Sequence, residues 1–401
     1  MDKNIRIREA TINDIPTVVD FYMRLDNPSQ KDWIEIMMDG RHPHVDASNF
    51  IIAEDLNNGK IVASVIYMPW TYSYGGCLVK AVRLEEVFCE PDYQDQGIVR
   101  KILHLIAEIS SENGYLFEVV YGTNAVYNHL GYTYGLPNEE EGYSYIIEPP
   151  APKNIFIIEE ASNSDIPIMA KLYEKNYSRN LLTTVIGEKE IFYNKNIYEQ
   201  GKFHLIKQID GQICGFFLLY TNHIYMMELD DTVCYYQIRS DLIAFLKQQG
   251  ISEICIKLGK SHPIYMVMNS FHKKKILSEL GFVKVNEIPK FIISVSSVLN
   301  DRLAKSPYAH FSGIFTVAMH SKDEVYKFVF DNGMLTDVSG VKQEHGEVDI
   351  DRNRFIRLLF GRVSSEEMND EFSMYYFQSN DLRNIFEILF PKLQSHVVSV
   401  N

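Results

Sequence analysis

Cysteine is scarce in this sequence, with only five among 401 residues. They are widely separated and odd in number, which argues against a disulfide framework and against a clustered metal site. They stand mostly in apolar, strand-like runs, at Cys77, Cys89, Cys214, Cys234 and Cys255. We therefore predict reduced core cysteines, no bound metal and a cytoplasmic location.

Long apolar runs and excess positive charge are also missing. No stretch approaches the roughly 20 apolar residues that cross a bilayer, and Met1–Asn4 does not begin like a signal peptide. The formal net charge of −14 disfavours nucleic acid as the main partner. The composition is that of a globular protein, and its length predicts two or three domains.

One stretch, Leu84–Ala107, combines a strand, a short turn and a helix. The apolar run before Pro91 predicts the strand, because proline cannot donate to a sheet ladder. Apolar residues at helical spacing follow, at Ile98, Ile102, Leu105 and Ile109. Gly97 opens this helix and Arg100 lies in its first turn. A helix N-terminus with a glycine and a cation suits a pyrophosphate.

This stretch resembles motif A of the GNAT acetyltransferases, Gln/Arg-x-x-Gly-x-Gly/Ala, through Gln94 and Gly97. Val99 departs from the motif, which has a small residue there. A second stretch, Gly122–Tyr134, resembles the closing motif of the same family, through Asn124, Ala125, Tyr127, Gly131 and Tyr132. The order and separation of the two motifs both fit the family.

The chain repeats itself at a nearly constant offset of 150–152 residues. The matching pairs are Glu9–Pro16 with Glu160–Pro167, Gly59–Ala63 with Gly211–Gly215, and Leu130–Tyr132 with Leu280–Phe282. The second copy has no glycine between Gly215 and Gly250, and Leu277 stands where the first copy has Tyr127. We predict that the second copy binds no cofactor and shapes the acceptor site or the structure.

The order of these parts resembles the Eis-like acetyltransferases. The resemblance implies a mixed α/β (α+β) chain of two GNAT folds, each a twisted mixed sheet flanked by helices, followed by a third α+β domain similar to sterol carrier proteins. The predicted boundaries are 1–148 for the catalytic domain, 153–289 for the degenerate copy and 290–401 for the third domain. Eis-like proteins often have a bulky residue followed by arginine, as at Val99 and Arg100. The resemblance also implies a homo-oligomer, possibly a hexamer.

The resemblance implies that acetyl-coenzyme A is the co-substrate. The residues implied to hold it are Val87, Phe88, Cys89, Gln94, Asp95, Gln96, Gly97, Ile98, Val99, Arg100 and Asn124. Tyr127 is implied as the acid that protonates the leaving thiolate. Three sources of the base stay open: the carboxylate of Asn401, water, or one of Glu86 and Glu85, of which strand alternation lets only one face the acceptor.

The predicted function is acetyl transfer to an amine by direct attack on the thioester. An aminoglycoside, a lysine side chain or a metabolite amine are all open as acceptors, small molecule or peptide. Two alternatives remain, a protein that binds coenzyme A or a lipid without catalysis, and a transferase of a longer acyl group.

Overall fold

The structure, a computed structural model, describes residues 4–25, 31–122, 127–137, 142–147, 152–198, 201–268, 272–276, 280–319, 324–371 and 376–398. These residues form two compact units. Unit 1 comprises Met1–Leu136 and Leu280–Leu393, and unit 2 comprises Pro137–Glu279 and Gln394–Asn401. Within the described ranges, no helix has both the length and the apolar character needed to cross a membrane.

The described residues contain both strands and helices throughout. The strands are β1 (Ile5–Glu9), β2 (Phe50–Asp55), β3 (Lys60–Tyr74), β4 (Cys77–Cys89), β5 (Phe117–Gly122), β6 (Thr133–Leu136), β7 (Gly142–Ile146), β8 (Phe156–Glu160), β9 (Leu182–Thr184), β10 (Lys202–Gln208), β11 (Ile213–Tyr220), β12 (His223–Leu229), β13 (Glu253–Ile256), β14 (His272–Ile276), β15 (Leu280–Val285), β16 (Gly313–Met319), β17 (Glu324–Asp331), β18 (Met334–Gly340), β19 (Val348–Ile350) and β20 (Tyr376–Phe377). The helices are α1 (Ile15–Leu25), α2 (Lys31–Met38), α3 (Ile98–Glu112), α4 (Ile166–Tyr173), α5 (Lys175–Arg179), α6 (Glu188–Asn196), α7 (Tyr235–Gln248), α8 (Ile264–Met268), α9 (Ile288–Ser294), α10 (Ser296–Ala304), α11 (Arg352–Leu359), α12 (Ser365–Glu371) and α13 (Asn380–Leu389).

The first sheet of unit 1 is mixed, with the strand order β1-β2-β3-β4-β5-β15-β6. Its one parallel pair in this path is β4 with β5. Helix α3 covers β2, β3 and β4 through buried residues at helical spacing, Ile98, Ile102 and Ile106. This apolar stripe is the reason the helix forms against the sheet, since burial of such a face stabilises a helix more than its intrinsic propensity does.

A second sheet of unit 1 has the order β18-β17-β16-β19-β20. Its core is aromatic, and the rings of Phe315 and Phe328 stack with centroids 5.1 Å apart. Another aromatic cluster connects the first sheet to the part of the chain after Lys290. The ring centroids of Phe117, in β5, and Phe360, the C-cap of α11, lie 5.2 Å apart. The helices on a small sheet that the sequence predicted after Lys290 are therefore present, while the likeness to sterol carrier proteins stays a prediction.

Unit 2 is built on a sheet with the order β14-β7-β13-β12-β11-β10-β8. Its N-terminal part repeats a detail of unit 1, because the backbone N–H groups of Thr11 and Ser162 donate to Asp14 and Asp165 respectively, at 2.8 and 2.7 Å. The predicted repeat is thus present at its first matching pair. The mixed α/β fold class with sheets flanked by helices is confirmed.

The last strand of each copy pairs in the sheet of the other. β15 lies between β5 and β6 in unit 1, and β7 lies between β13 and β14 in unit 2. The predicted boundaries at 148/153 and 289/290 therefore do not coincide with the units. We call β15, which pairs in the sheet of the first copy, the exchanged strand. The third repeat match is wrong as a structural equivalence, because Leu130–Tyr132 precede β6 whereas Leu280–Phe282 lie in β15.

The segment 394–398 is hydrogen-bonded within unit 2. The N–H of His396 donates to the carbonyl of Leu182 at 2.8 Å, and Val398 and Thr184 exchange hydrogen bonds at 2.9 and 3.0 Å. The buried His396 ring lies 3.2 Å from the Asn176 amide nitrogen and 3.3 Å from the Lys257 carbonyl. Burial lowers the pKa of His396 to about 4, so this imidazole is neutral at pH 7.

Candidate active site

Strands β4 and β5 separate at the carboxyl end of their parallel pairing. The pairing covers Val82–Leu84 opposite 118–120, whereas β4 stays paired with β3 as far as Cys89. The segment 85–89 therefore has β3 on one side and no pairing with β5 on the other among the described residues. Such an opening presents backbone N–H and C=O groups to an extended ligand, which pairs with them as an added strand would.

A bulge in β4 lies at the start of this opening. Glu86 has a φ of 49°, in the left-handed region that few non-glycine residues adopt. Ile66 pairs with Glu85, and Ser64 pairs with Phe88. The two residues Glu86 and Val87 therefore stand opposite the single residue Val65. A bulge of this kind bends the strand and redirects the groups that follow it.

Tyr22 of α1 supports the bulge from the core. Its hydroxyl lies 2.9 Å from Ser64 Oγ and 3.3 Å from the Glu86 carbonyl oxygen. Its ring also meets Phe88 edge to face, with centroids 5.9 Å apart. Burial raises the pKa of Tyr22 well above the usual value, so it remains a neutral hydroxyl. The sequence analysis missed this residue, since an apolar helical stripe gives no sign that one of its tyrosines fixes a distant strand.

The N-terminus of α3 follows the opening directly. Gly97 is its N-cap with a φ of 74°, and Asp95 has a φ of 59°. The segment Gln94–Gly97 is exposed, while the Gln94 side chain donates to the Cys89 carbonyl at 3.2 Å. The N–H groups of the first turn have no acceptor within the helix. The N-terminus of α3 is therefore exposed and tied to the end of β4, and its free N–H groups suit an anion.

Tyr127 lies beyond the carboxyl end of β5. Its ring packs 5.9 Å from Tyr132 and 5.7 Å from Phe282 of β15, and 8% of the residue is exposed. Gly122 makes room for it, because a Cβ there would stand 2.6 Å from the Tyr127 ring. Gly122, Tyr132 and Phe282 thus hold the Tyr127 ring in one position. A small part of Tyr127 remains exposed.

The predicted base residues fall in different surroundings. Glu85 forms an ion pair with Arg83 two residues earlier, so its carboxylate is held by a cation. Glu86 lies on the bulge, which interrupts the strict alternation that the sequence analysis assumed for these two residues. Asn124 and Asn401 lie outside the described residues.

The corresponding opening in unit 2 is filled by the chain itself. β12 pairs with β13 only at His223–Cys255 and Ile224–Ile256. Beyond that point the His262 ring binds the Met227 carbonyl at 2.9 Å, and Tyr265 of α8 binds the Ile256 carbonyl at 2.9 Å. Two backbone acceptors of this opening, the carbonyls of Met227 and Ile256, are therefore occupied by side chains of unit 2.

Two further features of unit 2 differ from the site of unit 1. Arg179 holds the buried Glu228 through two bonds of 2.7 Å, and burial still raises the pKa of Glu228. The N-terminus of α7 is capped by its own Gln237 side chain, which accepts from the Cys234 N–H at 2.8 Å. Tyr265, in the helix between β13 and β14, is a tyrosine that the comparison of Leu277 with Tyr127 overlooked.

The parts in unit 1 define a class of protein. An opened pair of parallel strands next to a glycine-capped helix N-terminus suits an extended ligand that carries an anionic group. A family model described as an acetyltransferase (GNAT) domain matches residues 6–135. Residues 6–135 are therefore similar to the acetyltransferase domain of the GNAT family, whose members transfer an acyl group from an acyl-coenzyme A to an amine.

Solved structures extend the likeness to most of the chain. A GCN5-related N-acetyltransferase from Kribbella flavida matches 99% of this chain and 100% of its own, with a TM-score of 0.74 and 12% identity. Eis1 from Mycobacterium abscessus matches 98% of both chains, with a TM-score of 0.62 and 11% identity. N-myristoyltransferase from Saccharomyces cerevisiae, solved with myristoyl-CoA, matches 71% of this chain and 80% of its own, with a TM-score of 0.50 and 11% identity.

At 11–12% identity, these structural matches show the fold alone. At that level they confirm the predicted Eis-like fold. A search of curated proteins found no match to this sequence. Among the described residues, no group of three or more histidine, cysteine or acidic side chains is placed to hold a metal ion.

Proposed function

We propose that this protein transfers the acetyl group of acetyl-coenzyme A to an amine by direct attack on the thioester. The observation that carries the proposal is the opening of β4 from β5 at Leu84, followed directly by the exposed N-terminus of α3. The pantetheine arm would lie along 87–89, and the pyrophosphate would bind the first turn of α3. Arg100 adds a positive charge to that turn.

The reaction needs three services from the chain. The backbone of the opened strand supplies N–H groups to the thioester oxygen as negative charge develops on it. The new C–N bond forms as the C–S bond breaks, and the thiolate takes a proton from the Tyr127 hydroxyl. A phenol suits this step, because it is protonated at neutral pH and can donate its proton as negative charge develops on the sulfur.

The base that removes the proton from the amine is proposed to be the carboxylate of Asn401 or one of Glu86 and Glu85. The ion pair with Arg83 makes Glu85 the weakest of these, since a held carboxylate accepts a proton less readily. Hydrogen bonds at His396 and Val398 anchor the chain a few residues before Asn401, which supports the proposal for its carboxylate.

Three variants separate these bases: removal of Val400 and Asn401, Glu86→Gln and Glu85→Gln. We expect the true base to lose about 100-fold in kcat, the usual size of a general-base contribution. The other two should keep kcat within a few fold. Measurement above the acceptor's own pKa restores activity only in the variant that lost the base, because the amine is then neutral without help. Wild-type kcat in all three would assign the proton to water.

The acceptor is proposed to be an amine of an aminoglycoside, of a lysine side chain or of a metabolite. Unit 2, whose own opening is filled by His262 and Tyr265, is proposed to be non-catalytic. We also propose a homo-oligomer, which light scattering in solution would test. The alternative of a longer acyl group is supported by the fold shared with N-myristoyltransferase.

The test of the function is the release of free coenzyme A thiol with acetyl-CoA and a panel of amines. Amine-dependent release, with the acetylated amine seen by mass spectrometry, is the expected result. The same assay with octanoyl-CoA and myristoyl-CoA measures acyl length, and faster turnover with these would replace acetyl by a longer group. Binding of acetyl-CoA without any turnover across the panel would favour the non-catalytic alternative.

A further inference from the structure

A cavity of about 560 Å³ lies within unit 1, beside the first turns of α3. Its walls come from α3, from the turn after Tyr127, from the end of β15 and from the starts of β17 and α11. The last two elements belong to the part of the chain after Lys290. A cavity of this size accommodates a small organic ligand.

The cavity is positively charged in an acidic protein. Arg100, Lys284 and Arg352 line it, against the single carboxylate of Glu324, while the whole chain carries a net charge of −14. The imidazoles of His104 and His129 also line it. A concentration of cations that opposes the overall charge marks a site for an anion.

Partners within the protein hold two of these cations in the wall. The Lys284 ammonium lies 3.6 Å from Glu118, which is fully buried in β5, and 5.3 Å from the centroid of the Tyr132 ring. Arg352 donates to the Val285 carbonyl at 2.8 Å and to Glu324 at 3.2 Å. A preorganised cation loses little freedom when it binds an anion, so it gains more affinity than a mobile surface lysine.

The cavity begins where the proposed pyrophosphate site ends. Arg100 is three residues after Gly97 and lines the cavity, and His104 lies about one helical turn, roughly 5.4 Å, further along α3. A ligand whose pyrophosphate binds the N-terminus of α3 can therefore extend into the cavity that Lys284 and Arg352 line.

We propose that this cavity binds the 3′-phosphate of the coenzyme's adenosine, and that Lys284 and Arg352 select coenzyme A over its 3′-dephospho form. The inference rests on the proposed function for the identity of the co-substrate. It adds a specificity site to which the part of the chain after Lys290 contributes, through Arg352. Phosphate is the matching chemistry, because a guanidinium and an ammonium on one wall bind its oxygens by charge-assisted hydrogen bonds.

The test compares kcat/KM for acetyl-CoA and acetyl-dephospho-CoA. The wild type is expected to prefer acetyl-CoA by about 30-fold or more, from charge-assisted bonds to the phosphate. Lys284→Gln and Arg352→Gln should each reduce that preference by about 10-fold. The matched control is Lys290→Gln, on the exposed surface, which should leave the preference unchanged.

Binding of two nucleotides gives a readout that needs no variant and no turnover. Adenosine 3′,5′-bisphosphate should bind the wild type, measured calorimetrically, at least 10-fold more tightly than adenosine 5′-monophosphate, because only the first carries the 3′-phosphate. Equal use of the two thioesters by the wild type would overturn the specificity site and leave acetyl transfer standing. Inactivity with both thioesters would overturn the proposed function, while the nucleotide comparison would still decide the cavity.

Discussion

Gly97→Glu is expected to abolish acetyl-CoA binding. Gly97 has a φ of 74°, a conformation that costs a residue with a side chain about 1–2 kcal/mol. No atom lies within 4 Å of an added Cβ, so the first carbon of the new side chain meets no clash. The carboxylate would stand at the N-terminus that we propose binds the pyrophosphate. Repulsion and the loss of two charged hydrogen bonds predict at least a 100-fold weaker affinity by calorimetry.

Gly114→Glu is the matched control for this variant. Gly114 follows the same helix at its other end, has a φ of 72° and likewise has no atom within 4 Å of an added Cβ. The backbone strain and the added charge are therefore the same in both variants. Wild-type affinity in Gly114→Glu with loss in Gly97→Glu assigns the effect to the pyrophosphate site. Unchanged affinity in Gly97→Glu would remove the N-terminus of α3 from the binding site.

Tyr127→Phe is expected to keep acetyl-CoA affinity within a few fold and to lower kcat by about 100-fold, the size of a typical general-acid contribution. The ring keeps its packing against Tyr132, Phe282 and the space left by Gly122, so only the proton donor is lost. Steady-state kinetics with saturating amine, beside calorimetric binding, separate the two effects.

Tyr115→Phe serves as the control for the loss of a hydroxyl. Tyr115 packs against the same core as Tyr127, but it precedes β5, at the opposite end of that strand from the opening. Burial raises the pKa of Tyr115, so its hydroxyl is neutral at pH 7. If Tyr127→Phe had the same kcat as Tyr115→Phe, Tyr127 would donate no proton in the rate-limiting step.

Most of the local structure was predictable because it follows from nearest neighbours along the chain. The sequence predicted a strand over 78–89 and the structure has Cys77–Cys89. It predicted helices over 295–304 and 381–389, and the structure has Ser296–Ala304 and Asn380–Leu389. Apolar periodicity and turn residues act locally, and they decide such elements without reference to the rest of the fold.

The arrangement of the strands was not predictable in the same way. β7 and β15 both carry apolar residues, and nothing in either strand specifies which sheet takes it. The bulge at Glu86 was also missed, since its support comes from Tyr22, a residue 64 positions earlier. Lys284 and Arg352 reach one cavity only through β15 and α11, so their proximity has no signal in the sequence.

The exchanged strand has a consequence for how the protein is made. Unit 1 lacks the strand between β5 and β6 until Leu280–Val285 leaves the ribosome. At about 5–20 residues per second, the chain from Leu136 to Leu280 takes roughly 7–30 s to synthesise. During that time β7, which is made first, can compete for the open place and delay the native pairing. The nascent first sheet of unit 1 also leaves the edges of β5 and β6 that pair with β15 unpaired, which favours aggregation. A fragment that ends at residue 148 would retain these unpaired edges permanently.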